Sequence, residues 1–411
     1  MQKRSYLEDD TYICLIDFRL TGHHPVYLAN FAQKFQELGC KVTIFTSDSN
    51  NCLDSLVNAL PQLRISELKF VETSATTVNK SRRLGCRAYF NLIKLQKEIE
   101  STERIFGQEF SFIFFAYLDD IAHIDLKLPY LIKTPFTRKF SGLLMAPRER
   151  VLRKISFPLN FLLTSTLEHL SDHYSEIGLL VEDVQHQVEK RLNTRTTVYP
   201  DFCSNAPAQK TESPVIEKVQ SRIRNRITTS LLGSILPHKC VDLFIDCVNA
   251  ANPDKHFFVI AGKFKKSAFA PEQWHKIQGI MDKPPENLLI FNEWLESEAI
   301  FDTLVQMSDY LFAYYRNFQK SSNVLSKGAF YKKPVIVSNK FLMGDRVQKY
   351  KLGYALSEKA TVELFANNNW SSFQFDQRLR EQYVELHSVK RLMDIFSNLL
   401  IEQDNALIST D

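Results

Sequence analysis

At 411 residues the chain exceeds what one ordinary hydrophobic core accommodates, which predicts two domains of about 200 residues each. With 44% hydrophobic and 24% charged residues and a net charge of only +4, it reads as a globular protein and not as a dedicated nucleic-acid binder, which would carry a strongly basic domain. No apolar run approaches the roughly 18 residues of a membrane-spanning helix, and the polar, acidic stretch Met1 to Asp10 does not resemble a signal peptide, so a cytoplasmic location is expected.

In chain order, Tyr12 to Phe18 is the first predicted strand, followed by the polar turn Thr21-Gly22-His23-His24-Pro25 and a helix that stops at Gly39. Lys41 to Phe45 is the next strand, and Phe112 to Ala116, Tyr130 to Ile132 and Phe161 to Leu163 are further ones. Thr197 to Pro200 closes this half. A polar, proline-punctuated linker runs from about 201 to 225, after which the alternation restarts. Strands are predicted at Ile227 to Leu232, Phe257 to Ala261, Leu288 to Phe291, Tyr310 to Tyr314 and Pro334 to Val337. Helices fall between them, around Val241 to Val248, Ser297 to Met307 and from near Ser322, and the last 35 or so residues read as terminal helices. Short apolar runs alternating with helical patterns are the signature of parallel sheets built from βαβ units. The expected fold is therefore α/β, with two Rossmann-like domains facing a central cleft: 1–205, 206–375, and terminal helices 376–411 packing back across them. Open sheets of this kind bind ligands at the carboxyl ends of their strands.

Seven scattered cysteines (Cys14, Cys40, Cys52, Cys86, Cys203, Cys240, Cys247) form no CxxC pair and read as reduced thiols. No HExxH, Asp-x-Asp or His/Cys cluster is present, so no metal site is expected. The glycine count of 12 is low for a chain that would cradle phosphates.

In the second half, five segments occur in an order that resembles family 4 of the GT-B glycosyltransferases. Gly233-Ser234-Ile235-Leu236-Pro237-His238-Lys239-Cys240 is similar to a G-R-L-x-x-x-K-G loop, and Phe257 to Lys263 to an L-x-I-x-G-x-G element. Leu289 to Leu295 is similar to V-x-F-x-G-x-V, Ser308 to Ala313 to A-D-V-F-V, and Asn323 to Ser338 to L-E-A-M-A-x-G-x-P-V-V. In the first half, Gly22-His23-His24 sits where the family carries a glycine-rich, acceptor-facing loop, and Pro200 to Phe202 resembles its linker entry. The chain also departs from the pattern. The family's paired glutamates fall at Gln319 and Lys327, its loop arginine at Ser234 and a loop glycine at Cys240, while Ser321-Ser322-Asn323-Val324-Leu325 resembles an S-S-G-V-L variant of the same segment.

The resemblance implies transfer of a sugar from a nucleotide-diphosphate sugar, used as co-substrate with no further cofactor, to a glycan or lipid-linked acceptor, with retention of configuration. It would suit polysaccharide biosynthesis. Breaking the donor's glycosidic bond leaves negative charge on the diphosphate, which fixed cations and N–H donors must stabilise. Lys239 fits that role, beside Gly233 and Ser234; the bland alternative is a solvated lysine at a helix start. Ser321, Ser322 and Asn323 precede a helical run whose free N–H groups suit phosphate, or they are a plain cap. Lys327, further along, is a ribose or phosphate contact or a surface residue. His23 or His24 would orient or deprotonate an acceptor hydroxyl, or merely cap a helix. Gly22, Asp119 and Asp120 are candidate acceptor contacts, the acids being equally at home in a turn. Two basic stretches, Lys80 to Lys97 and Lys133 to Lys154 with Phe136, Phe140 and Met145 interleaved, suit an anionic lipid headgroup at the inner membrane surface or a diphosphate-lipid acceptor, as well as a solvated face. The competing readings are a catalytically silent GT-B-like glycan- or partner-binding protein and a nucleotide-sugar epimerase.

Overall fold

The computed structural model describes residues 11–20, 24–75, 86–152, 162–202, 213–295, 297–367 and 373–408. Packing divides the chain into two units: Met1–Tyr199 with Lys390–Asp411, and Pro200–Val389.

In the first unit, β1 (Tyr12–Ile16), β2 (Lys41–Thr46), β3 (Leu68–Glu72), β4 (Phe112–Phe115), β6 (Phe140–Leu144), β8 (Tyr174–Leu179) and β9 (Thr196–Val198) make a seven-stranded sheet, ordered β3-β2-β1-β4-β6-β8-β9. Every neighbouring pair in it is parallel. A small antiparallel pair, β5 (Ile124–Leu126) with β7 (Leu163–Ser165), stands apart from it. The terminal helix Val389–Ile408 packs in this unit through Phe396, whose ring stacks on Phe35 (4.2 Å, 5°) and meets Phe31 and Phe114 edge-on.

The second unit holds an all-parallel six-stranded sheet, ordered β12-β11-β10-β13-β14-β15. Its strands are β10 (Ile227–Leu232), β11 (His256–Ala261), β12 (Leu288–Phe291), β13 (Tyr310–Phe312), β14 (Val335–Ser338) and β15 (Gly353–Leu356). A parallel sheet covered on both faces needs continuous apolar strands rather than alternating ones. The run His256-Phe-Phe-Val-Ile-Ala261 is buried throughout; Phe257 and Val259 enter one core, Phe258 and Ile260 the other. Ser297, Ser357 and Asp376 start helices by accepting hydrogen bonds from first-turn amides with their side chains.

Two sequence expectations are corrected here. Tyr130 to Ile132 is not a strand but the end of a short helix, Leu128–Ile132, because Pro129 in its first turn presets a helical φ and the Tyr130 ring is drawn inward. The stretch Lys133 to Lys154 is not one basic surface either. Phe136 and Phe140 are buried, Phe140 opens β6, Arg138 pairs with Glu103, and Arg148 pairs with Asp183. Lys80, Arg82, Arg83 and Lys154 lie outside the described residues.

Candidate functional site

In an open parallel sheet the crevice for a ligand opens where the strand order reverses, beyond the carboxyl ends of the two central strands. That point falls between β10 and β13 in the second unit and between β1 and β4 in the first. Both are occupied by ionisable residues whose pKa values burial displaces, Lys239 in the second unit and Asp120 in the first.

Beyond β10 the chain turns at Gly233, whose φ of +84° disfavours any residue with a Cβ. Gly262, beyond β11, comes so close that a Cβ there would sit 2.0 Å from the Gly233 carbonyl oxygen. This tight pair leaves room for the loop to fold back, so that Lys239 Nζ donates to the Leu232 carbonyl at the strand end (2.7 Å). The ammonium also lies 5.7 Å from the centre of the Tyr315 ring. No carboxylate pairs with it among the described residues, and burial lowers its pKa from 10.5 to about 8. Cys240, where the resemblance places a glycine, has φ of +50°. The left-handed turn is thus kept although the residue changed.

Tyr315 follows β13 and is buried; its hydroxyl shares a hydrogen bond with Ser322 Oγ (3.2 Å), and burial pushes its pKa up to about 12. Ser322 precedes the helix Asn323–Phe330 and its side chain caps none of that helix's amides. Arg346, itself buried, donates to Ser321 Oγ. His238 stacks on Phe318 (5.2 Å, 9°) and stands edge-on to Tyr315. Gly233, Ser234, Lys239 and the Ser321-Ser322-Asn323 start are therefore brought into one neighbourhood through Tyr315. An ammonium without a counterion, two hydroxyls and open helix amides form a group of donors suited to an anion.

Lys327 has a different place. Its side chain is buried, and Nζ pairs with Glu298 (2.9 Å) and with Asp302; burial pulls its pKa down, but these two acids outweigh it and raise the pKa above the usual lysine value. The surface-residue reading of Lys327 is corrected, because two carboxylates hold the ammonium inside the fold.

In the first unit β1 ends one residue before Asp17, which is buried. His24 opens the helix His24–Glu37; its Nδ1 lies 3.2 Å from both Asp17 oxygens, and Tyr117 meets its ring edge-on at 4.3 Å. Arg19 donates its backbone N–H to Asp17 (2.9 Å) and sets Nη2 2.6 Å from Asp120 Oδ1. Asp120 is 1% exposed, and neither of its oxygens has a well-aligned hydrogen bond among the described residues. Burial raises its pKa to about 7; Arg19 opposes that shift and Asp17 adds to it. His123, which bonds the Asp120 carbonyl, is pushed below its usual pKa by burial. Asp119 stands apart. Its carboxylate is fully buried and accepts from the Met145 and Ala146 amides (2.7 and 3.0 Å), so it ties the loop after β6 in place rather than offering oxygens to a sugar. Gly22 and His23 lie outside the described residues.

Sequence reasoning missed Asp17, Arg19, Tyr117 and Tyr315. The available signal for Asp17 was an acid inside the apolar run Tyr12 to Phe18. For Tyr315 none existed, since a tyrosine after a strand is ordinary core.

No family model matches the chain, and no curated protein matches it in sequence. Solved structures do match. A glycosyltransferase from Rickettsia africae ESF-5 superposes with a TM-score of 0.64 at 12% identity, covering 96% of this chain and 99% of its own. Sucrose-phosphate synthase from Thermosynechococcus elongatus gives 0.64 at 10% identity, over 96% and 100%. HepE of Anabaena, in complex with UDP, gives 0.63 at 11% identity, over 95% and 100%. At such identities the likeness is one of fold. The two Rossmann-like domains expected from the sequence are borne out, and their sheets match those of GT-B glycosyltransferases.

Proposed function

We propose that the chain is a glycosyltransferase that holds the diphosphate of a nucleotide sugar with Lys239 and the start of the helix Asn323–Phe330, and passes the sugar to a glycan or lipid-linked acceptor. One observation carries this reading: a half-buried ammonium without a carboxylate partner, placed where the strand order of the second sheet reverses. A cation kept desolvated and unneutralised is costly unless an anion comes to it. As the glycosidic bond breaks, charge grows on the leaving diphosphate, and Lys239 with the Ser322 and Asn323 amides would stabilise it more than the ground state. HepE, which shares the fold, is known in complex with UDP and with UDP-glucose, which supports a uridine nucleotide as the first donor to try. In the first unit, Asp17 fixes the His24 ring so that its other nitrogen can orient or deprotonate an acceptor hydroxyl. Resemblance to family 4 favours retention, and the donor motif is a divergent one.

The test is thermal stability against UDP, GDP, ADP and their sugars at millimolar concentration. A ligand present at 100 times its Kd stabilises the folded state by about 2.7 kcal/mol, a shift of several degrees. One base should shift the melting temperature, and His24→Ala should retain that shift while losing transfer. No shift with any nucleotide would falsify the donor reading. Lys327 favours a second reading, a silent nucleotide or glycan binder, because a buried ion pair stands where the family carries a glutamate. Nucleotide binding without transfer or donor hydrolysis would select it.

A further inference from the structure

The strand pair β5–β7, the short helix after β5 and the start of the helix Arg87–Phe106 carry a cluster of apolar side chains turned to solvent. Phe90, Leu126, Leu128, Leu131, Ile132 and Leu162 are between 38% and 78% exposed. They are held there by strand pairing, hydrogen bonds and ring contacts of their neighbours. Leu126 stands opposite Leu163 in the antiparallel pair, and the Lys127 N–H donates to the Leu162 carbonyl (2.8 Å). Tyr130 is the inward anchor of the short helix. Its hydroxyl donates to the Asp125 carboxylate (2.8 Å), and its ring stacks on His169 (5.0 Å, 16°) and meets Tyr89 edge-on. With Tyr130 turned in, Leu128, Leu131 and Ile132 are turned out. Phe90 joins through Tyr89, its ring centre 5.4 Å away.

The rim of this cluster is cationic. Lys127 and Lys133 bracket the helix and are exposed, and no acid lies between them. Arg87, Phe90, Lys94 and Lys97 fall at three- and four-residue spacing on one stripe of the helix Arg87–Phe106, all exposed. Of the acids beside this rim, Asp125 is buried and accepts from the Tyr89 amide and the Tyr130 hydroxyl, Glu98 accepts from the Thr73 and Ser74 hydroxyls, and Glu168 pairs with Arg191.

We propose that this cluster docks on an anionic lipid bilayer, with Leu128, Leu131 and Ile132 entering the acyl boundary and Lys127, Lys133 and Arg87 meeting headgroup phosphates. Soluble proteins rarely leave several large aliphatics contiguous in water, and an apolar centre ringed by cations is the complement of a negatively charged membrane surface. A second copy fits less well, because a two-fold interface would set the same cationic rim against itself. The proposal deepens the lipid-linked acceptor reading, yet its test needs neither donor nor acceptor, so each can fail alone.

The experiment is flotation of the full chain with vesicles of phosphatidylcholine alone or with phosphatidylglycerol added. The wild type should float with the anionic vesicles and be released by high salt. The double variant Leu131→Glu, Ile132→Glu should partition more than about tenfold more weakly. Lys127→Ala and Lys133→Ala should each weaken it roughly fivefold, and only on anionic vesicles. All four side chains are exposed, so unchanged melting temperatures are expected and serve as the fold control. Failure of the wild type to float with either vesicle, or equal flotation of the double variant, overturns the proposal. So does a dimer in sedimentation velocity that the double variant abolishes, which would assign the cluster to a second copy.

Discussion

Replacing Lys239 by Met separates stability from binding at the end of β10. Methionine keeps much of the apolar stem and removes the ammonium. In the wild type, burial lowers the ammonium's pKa from 10.5 to about 8 with no acid to offset it. A base whose folded pKa lies below its unfolded value is penalised while charged. The penalty is complete below about pH 8 and disappears as pH rises towards 10.5, where the amine is neutral in both states. The displacement corresponds to about 3 kcal/mol at pH 7. Losing the bond to the Leu232 carbonyl returns about 1 kcal/mol of it. Lys239→Met should therefore melt roughly 4–8 °C higher than the wild type at pH 7, an advantage that shrinks above pH 8. The same change should weaken nucleotide binding roughly 10- to 150-fold, the worth of a charge-assisted contact of about 1.5–3 kcal/mol. Since a bound diphosphate keeps Lys239 protonated, wild-type affinity should also fall by up to about tenfold per pH unit above 8. Scanning calorimetry and titration calorimetry at pH 7 and 9 read all three. A variant that melts lower than wild type at pH 7 and binds the nucleotide as tightly would refute the reasoning at both steps.

Three further outcomes are expected. The buried Asp120, with its pKa raised to about 7, makes the wild type lose stability as pH rises from about 4 towards 7, at most about 1.4 kcal/mol per unit. Asp120→Asn should lack that slope, so its melting temperature relative to wild type should climb between pH 5 and pH 8; parallel curves would count against it. Lys327→Met strands Asp302 in the core and should cost about 3–5 kcal/mol in a urea titration, while the folded fraction binds nucleotide normally. A variant of full stability that loses nucleotide affinity would instead restore a direct donor role for Lys327. Phe396→Ala removes a ring packed on Phe35, Phe31 and Phe114 and should cost about 3–5 kcal/mol, seen as lower melting cooperative with the whole first unit. Loss of the terminal helix alone, with the rest of the unit melting as before, would contradict that packing.

The sequence by itself determined the strand-forming core and the order of the loops. Runs such as Ile227 to Leu232 and Phe257 to Ala261 are apolar without interruption, because both faces of a parallel strand are covered, and this leaves a one-dimensional trace. Lys239 and Ser321-Ser322-Asn323 stood out because the segments holding them resemble family motifs, next to a strand end and a helix start. Strands such as β6, with Ser141 and Gly142 inside it, and β8, with Glu176, carry polar or small residues that meet partners remote in sequence, so their local pattern is weak. Ser141, for example, donates to the Glu176 carbonyl of the neighbouring strand at 2.6 Å. Tertiary structure alone decided which charges are compensated. Lys239 and Lys327 look alike in the sequence. Among the described residues one finds a carbonyl and a ring face, whereas the other finds Glu298 and Asp302 carried in by a different helix. Asp119 and Asp120 are adjacent, yet the first is consumed by two backbone amides and the second faces Arg19, Asp17 and His24 from another strand end. A side chain's charge state depends on what surrounds it within a few ångströms, and those neighbours come from chain segments tens to hundreds of residues away.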